Sequence, residues 1–280
     1  MERRLEKTIE NDLGKSNLWT NEIKKDCEDQ IVFLAIRNNL IDFYHKGGRL
    51  FCFDSYGFKT HLKYASVISA SGKDYLTESE LASYKLASNF ETNYTRIKEN
   101  CSNYSGIEAS GVSDLYHKHS YLSNSNVVVL DIEVSFESLN ESNTQDRIDL
   151  LLYKKDSRVL QFVEAKHYSN KEIWSNKIPK VIEQIKRYEA QVAQRKNQIL
   201  SEYSEYVKTI YSLFNISLPV PIDIEKKVIL LIFGFDRDQQ NGRLKKLITG
   251  NPAYSGIKNY SIGNIKQIVI ENLWKEAKVL

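Results

Sequence analysis

The stretch from Asp146 to Lys166, which reads DRIDLLLYKKDSRVLQFVEAK, constrains the fold more than any other part of the chain. Its first half is an apolar run interrupted by Asp149, and its second half runs from Val159 to Lys166 after a polar turn. Near-continuous apolar runs of this length are typical of strands that are buried on both faces. We therefore expect two strands joined by a tight turn.

Three charged side chains belong to these two predicted strands. The period of two along a strand puts Glu164 and Lys166 on the same face, and the preceding strand contributes Asp149. A carboxylate or an amine at the end of a buried strand is costly unless it pairs or binds a metal. One explanation is a strand-end ion pair of little energetic value. The other is a catalytic site.

Composition limits the remaining possibilities. The chain has 280 residues with 41% hydrophobic content, enough for one large domain or two small ones with a real core. Its 39 basic and 36 acidic residues give a net charge of only +3, so charge alone does not indicate a polyanionic partner. The widely spaced Cys27, Cys52 and Cys101 argue against a disulfide framework or a zinc ribbon.

The sequence carries no segment that predicts membrane contact. No run approaches the roughly 18 apolar residues of a membrane span, and the first residues are charged without an apolar core. Together with the cysteine spacing, which suits a reducing compartment, this pattern predicts a soluble, cytoplasmic protein.

Residues 1–105 are predicted to form a helix followed by a β-meander that serves recognition or interaction. Leu5, Ile9 and Leu13 repeat at the spacing of an amphipathic helix, and Gly14 follows them as a stop signal. Gly47-Gly48 lies between two alternating runs, which is a hairpin signal. Further predictions here are a second helix capped by Thr20, a turn at 54–57, a strand run over 58–68 and a helix over 78–98.

Aromatic and basic residues interleave along this meander. Such a surface can stack bases and bind phosphates. Aromatic side chains on strands more often form a core, with lysines at the solvent edge, and we favour that interpretation. The residues are Tyr44, His45, Lys46, Arg49, Phe51, Phe53, Phe58, Lys59, His61 and Lys63.

The rest of the chain alternates between strands and helices. Residues 127–136 alternate so that an apolar face opposes a face with Asp131, Glu133 and Ser135. A long helix is predicted over 175–214, with Asn176 as its cap and Pro179 in its first turn. The remaining predictions are helices over 110–124 and 242–247, strands over 227–235 and 265–270, and a C-terminal helix.

The charged residues of the opening stretch suit phosphodiester hydrolysis. That reaction needs a divalent cation, which the protein holds mainly with two or three carboxylates. Asp149 and Glu164 would supply this hard oxygen site, and the backbone carbonyl of Ala165 could add a ligand. Lys166 would orient the water or stabilise charge in the transition state.

These residues resemble the PD-(D/E)XK nuclease superfamily. Asp149, fourteen intervening residues and then Glu164-Ala165-Lys166 match its core motif, and Gln184 with Tyr188 matches the QxxxY motif of its RecB-like branch. The resemblance covers roughly residues 106–236. It implies a restriction-endonuclease-like αβββαβ core of α/β (α+β) class, hydrolysis with Mg²⁺ or Mn²⁺, and a Gln184/Tyr188 pair that positions nucleic acid or the active site.

The sequence departs from this pattern at two positions. Ile148 stands where the family often has proline, a common variation. The family often carries a further acidic residue upstream of this motif, and the candidates for it here are Glu108, Asp114 and Glu133. Glu133 is favoured as a metal ligand because it lies on the polar face of its strand, and the alternative is an ordinary solvated face.

The tripeptide alone is not specific. Three other segments also match it, namely Glu22-Ile23-Lys24, Glu225-Lys226-Lys227 and Glu276-Ala277-Lys278. Only Glu164 has an aspartate-bearing strand before it and a QxxxY helix after it. The motif therefore depends on this context.

The resemblance implies a Mg²⁺- or Mn²⁺-dependent deoxyribonuclease, with residues 106–280 as the nuclease domain. DNA is favoured over RNA as the substrate, and antiviral (phage) defence or DNA repair as the setting. One alternative is a catalytically inactive nuclease-fold protein that binds nucleic acid or a partner protein. Another is an interaction protein with a coincidental motif. Assembly into a homo-oligomer is left open.

Overall fold

The structure is a computed structural model that describes residues 2–66, 77, 85–136, 147–175 and 177–279. The chain divides into two compact units, Leu5–Ser110 and the combination of Met1–Arg4 with Gly111–Leu280. Each unit contains both helices and a sheet, which confirms the predicted mixed α/β class. Among the helices of the described ranges, none has both the length and the apolar composition needed to cross a membrane.

The first unit begins with the predicted amphipathic helix. Ile9 and Leu13 are its buried residues. Thr20 does not cap the next helix, because it lies inside a helical turn and its hydroxyl donates to the Ser16 carbonyl at 3.1 Å. The helical elements are α1 (Lys7–Gly14), a π-helical turn (Trp19–Ile23), α2 (Lys24–Glu28), α3 (Leu62–Ala65), α4 (Tyr94–Asn103) and α5 (Ile107–Lys118), of which α5 continues into the second unit.

Four antiparallel strands form the sheet of the first unit, in the order β1-β2-β3-β4. They are β1 (Phe33–Arg37), β2 (Leu40–His45), β3 (Gly48–Asp54) and β4 (Gly57–Lys59). Lys46 and Gly47 connect β2 to β3 with φ of 50° and 85°, so the predicted hairpin is confirmed. The predicted run over 58–68 is wrong where α3 follows β4, and residues 67–68 of the prediction lie outside the described residues.

The aromatic residues of the meander form its core. Phe51 and Phe53 are buried, and the Phe53 and Phe58 ring centroids lie 4.8 Å apart. His45 is also buried, with Nδ1 2.9 Å from the Ile31 carbonyl oxygen. The interpretation that these side chains pack a core is therefore supported.

The helix predicted over 78–98 is placed differently by the structure. Residues 78–84 of that prediction lie outside the described residues, and residues 85–93 are not helical. The helix α4 begins only at Tyr94, where Tyr94, Ile97 and Cys101 provide a buried stripe at helical spacing.

The second unit is built on one sheet with the order β11-β10-β9-β7-β6-β5, in which β8 also pairs with β7. Neighbouring strands from β5 to β7 are antiparallel, and β9 pairs in parallel with both β7 and β10. The hairpin predicted within Asp146–Lys166 is confirmed as β6 and β7. The strands are β5 (Val127–Ser135), β6 (Arg147–Lys154), β7 (Val159–His167), β8 (Asp223–Ile224), β9 (Ile229–Phe233), β10 (Lys258–Ile262) and β11 (Lys278–Val279).

One long helix lies between β7 and β9 in the sequence of this unit. This helix has Pro179 at its N-cap rather than in its first turn, and Asn176 lies outside the described residues. The helical elements after α5 are a 3₁₀ turn (Lys171–Ile173), α6 (Lys180–Phe214), α7 (Arg237–Gln239), a π-helical turn (Gln240–Leu244), α8 (Lys245–Gly250), 3₁₀ turns at Pro252–Tyr254 and Ile265–Gln267, and α9 (Ile270–Glu276).

The strand predicted over 265–270 is wrong. Those residues form a 3₁₀ turn and the start of α9, and the strand that pairs with β9 is β10, which precedes them. The Asn264 side chain caps the turn by accepting from the Lys266 amide at 3.0 Å. A short apolar run does not distinguish a strand from a buried turn, and here the Asn264 cap favours the turn.

The alternation predicted for residues 127–136 is interrupted. The pairing of β5 with β6 shifts register between Val129 and Asp131, and Glu133 has a left-handed φ of 52°. Asp131 is consequently fully buried, although the alternation predicted that it shares a polar face with Glu133.

The buried Asp131 carboxylate has two charged or polar partners far away in sequence. Arg3 Nε lies 2.8 Å from its Oδ2, and the Tyr203 hydroxyl donates to the same oxygen at 2.8 Å. The Arg3 backbone amide donates to Glu202 at 2.6 Å. Because a buried charge is tolerated only when it is paired and hydrogen-bonded, these contacts hold residues 2–4 in the second unit.

We predict that Arg3→Ala destabilises the protein by about 3–5 kcal/mol, because the substitution leaves the Asp131 charge buried without its ion pair. Urea-induced unfolding measures this loss. Arg4→Ala is the matched control, since the Arg4 side chain is 66% exposed and its loss should change stability by less than about 0.5 kcal/mol. Equal losses in the two variants would contradict the assigned role of Arg3.

Candidate active site

The register of β6 with β7 brings Asp149 and Glu164 together. Leu150 and Val163 form the last pair of this antiparallel ladder, and Asp149 and Glu164 are the next residues beyond this pair on their strands. The charge of Glu164 acts on Asp149, so the two carboxyl groups are neighbours. Asp149 Oδ2 accepts a hydrogen bond from the Ala165 amide at 2.7 Å, which fixes its carboxylate against β7.

Lys166 completes the predicted trio. Its Nζ lies 2.8 Å from Glu164 Oε1, and both residues are almost completely buried. The same Nζ lies 3.1 Å from Glu172 Oε2. Lys166 is therefore an ammonium held between two carboxylates beside Asp149.

Glu172 is a site residue that the sequence did not reveal. It lies on the 3₁₀ turn after β7, where the Asn170 side chain accepts from its amide at 2.9 Å. Burial opposes its ionisation, but hydrogen bonds from Lys180 and Lys166 hold the pKa of its carboxyl below the ordinary value. The Asn170 spacing indicates a turn, but nothing in it indicates which lysine the acid contacts.

Glu133 lies on β5, the strand that pairs with β6 on the side away from β7. Ile132 and Val134 face Leu150 and Ile148, so the position opposite Asp149 is Glu133. Its carboxylate lies 2.5 Å from Arg147 Nε, and the Arg147 side chain is 62% exposed. Glu133 thus sits beside the buried pair and forms an ion pair near the surface.

The two other candidates for the upstream acid are placed elsewhere. Asp114 Oδ2 lies 3.7 Å from Lys266 Nζ. Glu108 belongs to the part of α5 that is assigned to the first unit. Of the three candidates, Glu133 is the one that the sheet register sets next to Asp149.

Burial has the largest effect on the electrostatics of the site, and repulsion between carboxylates adds to it. Burial raises the pKa of Asp149 well above its ordinary value, and the neighbouring charges of Glu164 and Glu133 raise it further. Lys166 and the Ala165 amide oppose the shift without cancelling it. The Asp149 carboxyl therefore holds its proton more tightly than an ordinary aspartate does.

The QxxxY helix face contacts the strand that carries Asp149. Tyr188 is buried on α6, and its hydroxyl donates to the Arg147 carbonyl at 2.8 Å, two residues before Asp149. Gln184 lies one turn earlier, and within the described ranges its buried side-chain carbonyl accepts no hydrogen bond. Tyr188 is accordingly a positioning residue for β6.

The carboxylate oxygens of this site are the type of ligand that a hard divalent cation takes. Carboxylate oxygens are the ligands that Mg²⁺ and Mn²⁺ prefer, and a bound cation would relieve the repulsion that raises the pKa of Asp149. The Ala165 amide donates to Asp149, and the ligand role of the Ala165 carbonyl stays a prediction. The described residues contain no group of three His, Cys, Asp or Glu side chains that could hold a metal ion.

We predict that Asp149→Asn stabilises the metal-free protein at pH 7. The raised folded-state pKa means that ionised Asp149 costs stability, a cost that appears above the unfolded-state pKa of about 3.9 and grows until the pH passes the folded-state pKa. Each kcal/mol of this burial and repulsion cost that is removed should raise the midpoint of thermal unfolding by about 2–4 °C.

Thermal unfolding at a series of pH values checks this prediction, with the exposed Glu276→Gln as control. The gain for Asp149→Asn should shrink as the pH falls toward about 4. A variant that is less stable than wild type at pH 7, or a gain that is independent of pH, would contradict the assigned repulsion.

No family model, curated protein or solved structure matches the chain in comparisons with known proteins. The chemistry of the site is therefore inferred from its own residues.

Proposed function

We propose that the chain is a Mg²⁺- or Mn²⁺-dependent nuclease of the PD-(D/E)XK class that hydrolyses phosphodiester bonds, in DNA rather than RNA. One observation carries the proposal. Asp149 Oδ2 is hydrogen-bonded to the Ala165 amide at 2.7 Å while Lys166 Nζ lies 2.8 Å from Glu164 Oε1. An aspartate, a glutamate and a lysine thus lie side by side on two neighbouring strands.

The order of elements in the second unit supports the proposal. A helix, three antiparallel strands, a second helix and a parallel strand occur in the order α5, β5, β6, β7, α6 and β9, with the two-residue strand β8 between α6 and β9. This is the αβββαβ order that the sequence resemblance implies. The helix α6 carries Gln184 and Tyr188, and the Tyr188 contact with Arg147 gives the second motif a physical link to the first.

Each side chain has a distinct role in this proposal. Asp149 and Glu164 would hold the divalent cation, which would polarise a phosphoryl oxygen and lower the pKa of a water molecule. Lys166 orients that water or stabilises negative charge in the transition state. Glu172 fixes the Lys166 ammonium, and Tyr188 fixes the start of β6.

Glu133 is the candidate for a third carboxylate. It faces Asp149 across β5 and β6, and its partner Arg147 is largely exposed. Surface ion pairs contribute little free energy, so exchange of the Arg147 contact for a metal contact would cost little. Residues 106–280 would form the nuclease domain and residues 1–105 would serve recognition or interaction, with phage defence or DNA repair as the setting.

A second candidate function is a nuclease-fold protein without catalysis that binds nucleic acid or a partner protein. The observation that favours it is the contact of Lys166 with both Glu164 and Glu172, which satisfies the ammonium without a metal or a substrate. Metal binding and cleavage separate the two candidates.

We predict cleavage of labelled DNA in the presence of Mg²⁺ or Mn²⁺, with the rate reduced at least about 100-fold by Asp149→Asn or Lys166→Ala. The chain supplies its own matched control, because Glu276-Ala277-Lys278 repeats the tripeptide with exposed Glu276 and Lys278 side chains. Glu276→Gln and Lys278→Ala should cut like wild type. Failure of wild type to cut single- or double-stranded DNA or RNA with either metal would refute catalysis.

We also predict that Mn²⁺ stabilises wild type against thermal unfolding but not the Asp149→Asn/Glu164→Gln double variant. A ligand at 100 times its Kd adds about 2.7 kcal/mol of stability. Calorimetric titration should show the same difference. Binding that survives in the double variant would place the metal elsewhere, whereas no binding to wild type would favour the inactive alternative.

A further inference from the structure

A second feature of this unit is a cavity of about 570 Å³ between the segment after β7 and the helical region after β9. Trp174 and Ser175 line one side, and Arg243, Lys246 and Asn251 line the other. Its volume is within the range of sites that hold a small ligand or one unit of a larger one.

The wall formed by Trp174 and Arg243 is ordered by specific contacts. The Arg243 guanidinium carbon lies 3.9 Å from the centroid of the indole ring. The indole Nε1 donates to the Tyr168 carbonyl at 2.9 Å, and the Tyr168 ring packs edge-on at 5.0 Å. Because stacking uses the face of a guanidinium, its in-plane N–H donors stay available to an anion.

The cations at this cavity are not neutralised. Within the described ranges, neither Arg243 nor Lys246 forms an ion pair with a carboxylate. Both side chains are exposed, and the i, i+3 spacing puts them on one helical face. Two adjacent cations without acidic partners beside a cavity are suited to an anion that bears several acceptor oxygens.

Hydrogen bonds hold the two sides of the cavity together. The Asn251 side-chain amide donates to the carbonyls of Ser175 at 2.9 Å and Lys177 at 3.2 Å. The segment that ends at Trp174 also contains Glu172, whose carboxylate contacts Lys166. The cavity is therefore joined to the candidate active site by a short and well-bonded stretch of chain.

We propose that the cavity binds a backbone phosphate of the nucleic-acid strand, with Arg243 as a bidentate donor, Lys246 as a second cation and Trp174 as the wall that orients Arg243. This inference rests on the proposed nuclease function and names a substrate-positioning subsite for it. A polynucleotide is favoured over a small phosphorylated ligand, because small-ligand sites are mostly apolar and bury most of the ligand, whereas these cations are exposed.

The test compares two double variants with the same change of charge. Arg243→Gln/Lys246→Gln removes the cavity cations, and Arg237→Gln/Lys245→Gln removes two exposed cations of the same helical region that do not line the cavity. Fluorescence anisotropy with labelled single-stranded DNA, in metal-free buffer at several salt concentrations, gives the affinity and its salt dependence without cleavage.

The cavity variant should bind at least about 10-fold more weakly, and the slope of log K against log salt should fall by about 0.7 for each phosphate that the variant no longer neutralises. The control variant should stay within about twofold of wild type. Arg243→Lys, which keeps the charge, should also weaken binding because it loses the planar fork, and it serves as the second variant if the double variant does not fold.

Equal affinities of the cavity and control variants would overturn the inference, and so would wild-type binding of inorganic phosphate or a mononucleotide as tight as that of the oligonucleotide. Weakened binding in a protein that cuts no substrate would uphold the subsite and refute the nuclease. Cleavage by wild type with unchanged binding in the cavity variant would uphold the nuclease and refute the subsite. Absence of all oligonucleotide binding by wild type would refute the subsite, whereas the nuclease is refuted only by the absence of cleavage.

Discussion

The antiparallel register of β6 with β7 is the constraint on which the candidate site depends. A slip of one residue would turn Asp149 and Glu164 away from each other and exchange the side chains that pack on the two buried faces of the sheet. Leu150, Leu152 and Phe162 are completely buried, so the core strongly specifies this register. Hydrophobic burial, which has no direction of its own, thereby determines where two repelling carboxylates must lie.

The features that the sequence predicts well are those encoded locally. The apolar runs around Asp149 and Val163 are long enough to indicate two buried strands, and a polar turn separates them. The stripe that includes Val181, Ile185 and Tyr188 has helical spacing and is buried on α6. The adjacency of Asp149 and Glu164 followed from these local patterns, because consecutive strands joined by a tight turn pair with each other.

The features that escaped prediction depend on partners distant in sequence. Asp131 looks like a solvated strand residue until the register shift buries it against Tyr203. Glu172 lies in a polar link without a periodic pattern, and its importance comes only from the approach of Lys166 and Lys180. The identity of β10 likewise depends on which apolar segment reaches the edge of β9, a choice that periodicity cannot make.

The contact of Arg3 with Asp131 and Tyr203 also has a consequence for the order of events during synthesis. Arg3 is separated from Asp131 by 128 residues and therefore leaves the ribosome on the order of ten seconds earlier, at typical elongation rates. The complete Leu5–Ser110 unit is translated within that interval. The first unit can thus fold while Arg3 still awaits its partners, and the second unit closes only after α6 has been made.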